Sequence, residues 1–243
     1  MSKTVSELRS CSGGLDAEHG AELHFGVERA QPARGGLRAQ RGRAVIDQRG
    51  DHRVGGKPVV PVAMAIEWMS RAARAVRPEG APLVLRDLKV LRGIKLEHFE
   101  NGGDRLAVSC APHGNGHPGD LAVELRGQGG VLHYSASVDA RTAPSVMPER
   151  GPAPALGAWK DAPIYDGHLL FHGPSFQVIR SVDGVSREGI TGSLTGARER
   201  GWAGEGFRID PAAVDGALQF ALLWAQSVLG GATLPMSVAA FES

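Results

Sequence analysis

Two long apolar segments, residues 62–76 and 211–229, constrain the fold of this 243-residue chain more than any other feature. In the first segment, four apolar side chains recur at helical spacing and two more lie beside them; they are Ala63, Ile66, Met69, Ala73, Met64 and Trp68. A helix that is apolar over most of its surface must be buried on most of its sides. Each segment is therefore predicted to be a central helix that other elements enclose.

Strand-like segments surround the first apolar segment. Two of them precede it, at residues 21–28 and 43–48, and four follow it, at residues 83–96, 105–111, 121–126 and 131–138. Turns rich in Gly, Asn and Pro separate these segments. Strands, one buried helix and then a run of antiparallel strands are what a sheet wrapped around a helix requires, and this arrangement is the hot-dog fold.

The second half of the chain repeats this plan without obvious sequence identity. Residues 175–182 and 189–194 are predicted to be extended, and the helix at 211–229 again begins with a proline, as Pro61 begins the first turn of the earlier helix. The predicted fold is therefore α+β, a double hot-dog in which two antiparallel sheets each wrap a long central helix.

The predicted boundaries follow from composition. Residues 1–20 form a polar, loose leader, 21–141 the N-terminal hot-dog, 142–157 a linker rich in Pro and Ala, and 158–243 the C-terminal hot-dog. Little chain follows the second helix, so the C-terminal sheet is expected to be short of its last strands. Without those strands, one strand edge of the C-terminal sheet and one flank of the second helix would be exposed.

Composition excludes several classes of function. A formal net charge of +1 gives no global field for nucleic acid or an anionic membrane. The two cysteines, Cys11 and Cys110, and the histidines show no metal-ligand spacing, so no metal is predicted. So few cysteines indicate a reducing, cytoplasmic setting. Gln226 and Ser227 interrupt the longest apolar run, so no membrane span is expected.

Four motifs in a fixed order carry a resemblance to a known family. They are H-x-x-x-G-x-x-x-x-P at His52, Gly56 and Pro61; G-P-x-F-Q at Gly173, Pro174, Phe176 and Gln177; D-x-x-x-Q at Asp215 and Gln219; and Leu234-Pro235. This series resembles the dehydratase domains of polyketide and fatty acid synthases. His172 stands where modular polyketide dehydratases often have tyrosine, so the chain is more similar to polyunsaturated fatty acid or enediyne-type iterative synthases.

The resemblance implies a division of roles between the halves. His52 would be the base and Asp215 the acid in removal of water from a 3-hydroxyacyl thioester, with Gly56 N–H as the oxyanion donor and Gln219 as the orienting residue. A tunnel would be lined by Pro61, His172, Gly173, Pro174 and Phe176. Because a carboxyl has a reference pKa of ~3.9, apolar surroundings must raise the pKa of Asp215 against the helix dipole.

The implied enzyme is a hydro-lyase that needs no cofactor of its own, because phosphopantetheine of an acyl carrier protein carries the substrate. Other synthase domains and a second copy in a homodimer would be its partners. A basic strip, Arg86, Lys89, Arg92 and Lys95, either meets an acidic carrier or is a solvated strand face. Two alternatives remain: a double hot-dog isomerase or cyclase of the product-template kind, and a non-catalytic acyl-binding or dimerisation module.

Overall fold

The structure is a computed structural model. It describes residues 51–77, 82–99, 101, 103–113, 117, 119–139, 155–159, 163–202, 207–231 and 233–242, together with the backbone of residues 21–27. The predicted leader, the predicted strand at 43–48 and most of the predicted linker lie outside the described residues.

Ten strands and two α-helices follow one another along the described chain. They are β1 (Ala21–Val27), β2 (Arg53–Val54), β3 (Lys57–Pro58), α1 (Val62–Ala75), β4 (Val84–Val90), β5 (Asp104–Pro112), β6 (Leu121–Arg126), β7 (Leu132–Val138), β8 (Ile179–Ser186), β9 (Gly189–Leu194), α2 (Pro211–Leu229) and β10 (Ser237–Glu242). Six strands form one antiparallel sheet in the order β1-β5-β6-β7-β4-β10, and β2-β3 and β8-β9 are separate hairpins.

Helix α1 is the centre of the larger core, as its apolar pattern predicted. Trp68 and Met69 are 1% and 0% exposed, and they pack with the inward side chains of the sheet, such as Val108 and Leu125. Pro61 was predicted to lie in the first turn of α1, but it precedes the helix as its N-cap residue. Its extended backbone directs its carbonyl to the amides of Met64 and Ala65, which α1 itself leaves without partners.

The segment after each helix supplies the strand that joins the two halves. β4 follows α1 and β10 follows α2, and the two strands pair antiparallel, with Phe241 opposite Leu85 and Ser237 opposite Lys89. The sequence did not predict β10. Because equivalent strands of the two halves pair with each other, the halves meet as the two copies of a twofold-symmetric dimer do.

The C-terminal half departs from the prediction at residues 175–182. Its first strand, β8, begins at Ile179, because Pro174–Phe176 form a 3-10 turn instead. The amide of Ser175 donates to the carboxylate of Asp51, in the other half, so this backbone is held by a side chain rather than by a strand ladder.

Helix α2 packs on β8 and β9 and has clear end signals. The Asp210 carboxylate accepts from the amides of Ala212 and Ala213, Pro211 occupies the first turn, and Gly230 ends the helix with φ 74°. By length and composition alone α2 could cross a membrane. However, it buries the polar side chains of Asp215 and Gln219 inside the protein.

A buried carboxylate ties α1 to the segment that leads into α2. Glu67 is 1% exposed, and its oxygens accept from the amides of Arg208 and Ile209 at 3.0–3.1 Å and lie 3.2 Å from Nε of Arg71. This arrangement satisfies a charge that would be costly to bury alone. Glu67 thus helps to fix where α2 begins relative to α1.

Candidate active site

His52 lies at the base of the β2-β3 hairpin and is buried, with 9% of its surface exposed. Its Nδ1 is 3.1 Å from the carbonyl oxygen of Val59. Because a carbonyl only accepts, Nδ1 carries the hydrogen and Nε2 is the unprotonated nitrogen. Burial lowers the pKa of His52 to about 4, and the hydrogen bond to Val59 partly opposes that change. The imidazole is therefore neutral at physiological pH.

A short inter-half contact, which we call the loop clasp, holds His52 against the G-P-x-F loop. It consists of Asp51, Gly173 and Ser175. The amide of Gly173 donates to the carbonyl of Asp51 at 2.7 Å, and the amide and hydroxyl of Ser175 donate to the Asp51 carboxylate at 2.8 and 2.7 Å. A Cβ on Gly173 would lie 2.6 Å from Cβ of Asp51, so only glycine permits this approach.

Asp215 faces this region from the second turn of α2 and is 4% exposed. Burial raises its pKa to about 7, and the hydrogen bond from Gln219 partly opposes the rise. Desolvation outweighs that opposition, because a buried carboxylate loses more hydration than one donor restores. The carboxyl is therefore available in its protonated form near neutral pH.

Gln219 is fixed by three hydrogen bonds, and one partner was not identified from the sequence. The Tyr165 hydroxyl, which accepts from the amide of Ile179, donates to Oε1 of Gln219, each at 2.8 Å. Nε2 of Gln219 must then be the nitrogen that donates to Oδ2 of Asp215 at 2.7 Å and to the carbonyl of Phe176 at 2.9 Å. Tyr165 lies in a loop outside the quoted motifs, so no sequence signal pointed to it.

His172 completes the buried cluster. Its Nε2 is 3.6 Å from Oδ2 of Asp215, its ring stacks on Phe171 at 4.6 Å, and its centroid is 5.2 Å from that of His52. Burial and the neighbouring His52 lower its pKa to about 3. Its Nδ1 is buried and has no hydrogen-bond partner among the described residues.

The tertiary structure brings His52, His172 and Asp215 together, with one possible ligand atom from each lying within 4.8 Å of the others. Two imidazoles and a carboxylate are also a donor set that suits divalent transition metals. Linear spacing hid this set, because the three residues come from separate segments. The absence of a metal therefore remains a prediction from the sequence.

Some of the other predicted site residues are buried and others are exposed to solvent. Phe176 is buried with its ring 5.3 Å from that of His52, and Pro61 is buried at the start of α1. Gly56 has φ 79° and is exposed in the turn of the β2-β3 hairpin, outside the buried cluster. Pro174 is also exposed. An oxyanion role for Gly56 and the acyl tunnel thus remain predictions.

Comparison with known proteins finds relatives among polyketide and polyunsaturated fatty acid synthases. A family model described as the polyketide synthase dehydratase N-terminal domain matches residues 164–242, which include Gly173, Pro174, Asp215 and Gln219. One large component of a polyunsaturated fatty acid synthase from Thraustochytrium sp. is 25% identical over 205 residues. That match covers 77% of this chain and only 7% of the synthase component.

Solved structures give the same picture of the fold. The dehydratase domain from the CurF module of the curacin polyketide synthase has a TM-score of 0.61 and 15% identity, covering 95% of this chain and 79% of that one. The dehydratase domain of PpsC from Mycobacterium tuberculosis has a TM-score of 0.63 and 18% identity, covering 93% and 76%.

The fold and its structural relatives define the class: the chain is a double hot-dog protein of the α+β type. Within that class, the chain is similar to the dehydratase domains of polyketide synthases and to part of a polyunsaturated fatty acid synthase. The resemblance predicted from the motifs is thereby confirmed.

Proposed function

We propose that this chain removes water from a 3-hydroxyacyl thioester to give a 2-enoyl thioester. One observation carries the proposal: a neutral buried imidazole, His52, and a buried carboxyl with a raised pKa, Asp215, come from opposite halves to one cluster. An elimination needs a base and an acid at the same substrate, and two groups with oppositely perturbed pKa values supply them.

The proposed reaction proceeds in balanced steps. Nε2 of His52 takes the proton from C2 of the substrate, and the electron pair of that C–H bond forms the new double bond. The C3–O bond breaks, and Asp215 gives its proton to the departing hydroxyl, which leaves as water. The imidazolium and carboxylate that result are neutralised when the proton passes from His52 back to Asp215, directly or through solvent.

Gln219 supports the proposed acid. Its amide is held by the Tyr165 hydroxyl, so it presents N–H rather than oxygen to Asp215. This contact stabilises the carboxylate that remains after proton transfer, which lowers the cost of the step. Burial and Gln219 act on the pKa of Asp215 in opposite directions and leave it near neutrality.

The wider setting is also a proposal. The Thraustochytrium relative is part of a polyunsaturated fatty acid synthase, and this supports a substrate carried on the phosphopantetheine of an acyl carrier protein, with other synthase domains as neighbours. We propose a cytoplasmic location, assembly as a homodimer and no cofactor beyond the carrier's own arm. Dehydration balances without a redox or nucleotide cofactor, which supports the last point.

The first prediction tests the proposed activity. The parent chain should convert a 3-hydroxyacyl pantetheine thioester to its enoyl product, with loss of one water by mass spectrometry, and should hydrate a crotonyl thioester in reverse. His52→Ala and Asp215→Asn should each reduce the rate by roughly 10²–10⁴-fold, the usual contribution of a general acid or base.

The matched control is His98→Ala, because exposed His98 also lies beside a carboxylate, 3.3 Å from Asp104, but far from this cluster in sequence. It should keep the parent rate. A product with a moved double bond and no mass loss would support an isomerase instead. Equal rates for the parent and both site variants would leave an acyl-binding module as the better explanation.

A further inference from the structure

His172 is a buried titratable residue that the proposed acid and base do not use. It is 6% exposed, and three features fix its ring: the stack on Phe171, the edge contact with His52, and an antiparallel bridge between its backbone and that of His52. Among the residues that the structure describes, the acidic group that it faces within 4 Å is Asp215. A polar ring held this firmly beside the proposed acid suggests a role in the chemistry.

The surroundings of the ring decide which nitrogen carries its hydrogen. If Nδ1 carried it, a buried donor would have no partner, which costs roughly 1–3 kcal/mol, and the lone pair of Nε2 would face an oxygen of Asp215. With the hydrogen on Nε2, the N–H instead faces Oδ2, and Nδ1 leaves only an unpaired acceptor. The second arrangement is the more favourable one.

This tautomer also decides which oxygen of Asp215 carries its proton. Oδ2 already accepts from Nε2 of Gln219 at 2.7 Å, and it would face the Nε2–H of His172 as well. A proton on Oδ2 would make that oxygen a poorer acceptor for the two N–H groups. A proton on Oδ1 leaves Oδ2 as a carbonyl-like acceptor for both. Two donors on one side therefore direct the acidic proton to the other oxygen.

We propose that His172 is a positioning residue that holds the proton of Asp215 on Oδ1, ready for transfer to the substrate hydroxyl. This inference rests on the proposed dehydratase function and deepens it. The 3.6 Å separation exceeds an ordinary hydrogen bond of about 2.7–3.2 Å. Catalytic contacts commonly shorten when substrate fills a site, and the proposal places that shortening between Nε2 and Oδ2.

The groups around His172 leave it a donor and not an acid. His52 faces it from the hairpin before α1, Tyr165 lies beyond Gln219 in the preceding loop, and Asp215 faces it from α2. Arg200, whose guanidinium donates to the carbonyl of Pro174, is a cation on the loop side, and its charge acts on Tyr165. Burial keeps the ring neutral, so it can orient the proton without exchanging it.

The test compares two substitutions that differ in one N–H group. His172→Phe keeps the aromatic stack and removes the donor, whereas His172→Gln restores an amide N–H near the position of Nε2. We expect His172→Phe to lower kcat roughly 10- to 100-fold with little change in KM, the effect of losing one hydrogen bond to a charged group. His172→Gln should recover part of that loss.

The pH profile separates positioning from packing. The donor stabilises the carboxylate form of Asp215, so its removal should move the alkaline limb of kcat/KM to higher pH in His172→Phe and not in His172→Gln. A Phe variant with the parent kcat and an unmoved limb would overturn the proposal. His98→Phe is the control and should change neither quantity.

Nitrogen-15 NMR of the parent chain provides a readout that needs no turnover. The expected spectrum shows His172 with Nε2 protonated and Nδ1 unprotonated, and the opposite tautomer would overturn the proposal. Carbon-13 NMR of the Asp215 carboxyl should show a higher pKa in His172→Phe than in the parent, and an unchanged pKa would also overturn it. If the parent fails to dehydrate any thioester, the proposed function fails, and these spectra still decide the tautomer and the contact.

Discussion

At the scale of the residue, one physical cause perturbs the two proposed catalytic groups in opposite directions. Burial penalises the charged form, so it lowers the pKa of the His52 imidazole to about 4 and raises the pKa of the Asp215 carboxyl to about 7. Between these values, both groups are neutral. This is the protonation state that a base and an acid need before an elimination.

A prediction about pH follows from these two values. As pH falls through about 4, His52 becomes protonated and loses its base function, and as pH rises through about 7, Asp215 loses the proton that it must donate. We expect kcat/KM to be bell-shaped with limbs near those values, measured over a pH series in buffers of constant ionic strength.

The identity of the alkaline limb can be checked with Gln219→Glu. A second carboxylate one turn along α2 should raise the pKa of Asp215 and move that limb upward, while the acid limb stays in place. A parent profile that rises through pH 7 to a higher plateau would contradict the assignment of Asp215, whose pKa is raised to about 7, as the acid.

At the scale of the element, the loop clasp sets the distance between the two halves of the site. Asp51 accepts from the backbone and hydroxyl of Ser175, and the amide of Gly173 donates to its carbonyl, so the segment bearing His52 and the segment bearing His172 are joined. His52 leads into the two-residue strands of the β2-β3 hairpin, and an isolated antiparallel bridge pairs it with His172. The clasp therefore reinforces a short stretch of strand pairing.

The clasp leads to a prediction for Gly173→Ala. The new Cβ would lie 2.6 Å from Cβ of Asp51, so the two segments must separate. A displacement of about 1 Å at a catalytic group costs roughly 10²-fold in rate, and we expect a loss of that order in kcat with the far-ultraviolet circular dichroism unchanged.

Gly189→Ala is the matched control, since a Cβ there meets nothing within 4 Å. It should keep the parent rate. If Gly173→Ala also retained full activity, the spacing of the site would not depend on the clasp.

At the scale of the whole molecule, a strand pair and a buried carboxylate join the halves in addition to the loop clasp. The β4-β10 pair makes a continuous sheet between them, and the carboxylate of Glu67 accepts two backbone amides from the segment before α2. The β4-β10 connection consists of backbone pairing that any two adjacent strands can form. The second is a specific buried contact, and its loss leaves donors without partners.

Glu67→Gln therefore gives a prediction about stability. The amide retains one acceptor but turns N–H toward a backbone donor, so we expect the free energy of unfolding to fall by roughly 1–3 kcal/mol in urea titrations. Glu97→Gln is the comparison, because its pair with Lys57 is exposed to solvent and should contribute little to stability. Equal losses in the two variants would remove the structural role assigned to Glu67.

The sequence alone determined the elements whose signals are local. The apolar repeat placed α1 almost to the residue, and α2, β6 and β9 match their predicted ranges. These features could be read because side-chain periodicity and capping act over a few residues of chain.

Only the tertiary structure decided the features that depend on distant segments. The pairing of β10 with β4, the contact of Asp51 with Ser175, the hydrogen bond from Tyr165 and the contact of His172 with Asp215 each join residues far apart in sequence. Periodicity carries no information about such pairings, because their free energy comes from a partner that the local sequence does not contain. The raised pKa of Asp215 belongs to the same group, since burial is a property of the packed molecule.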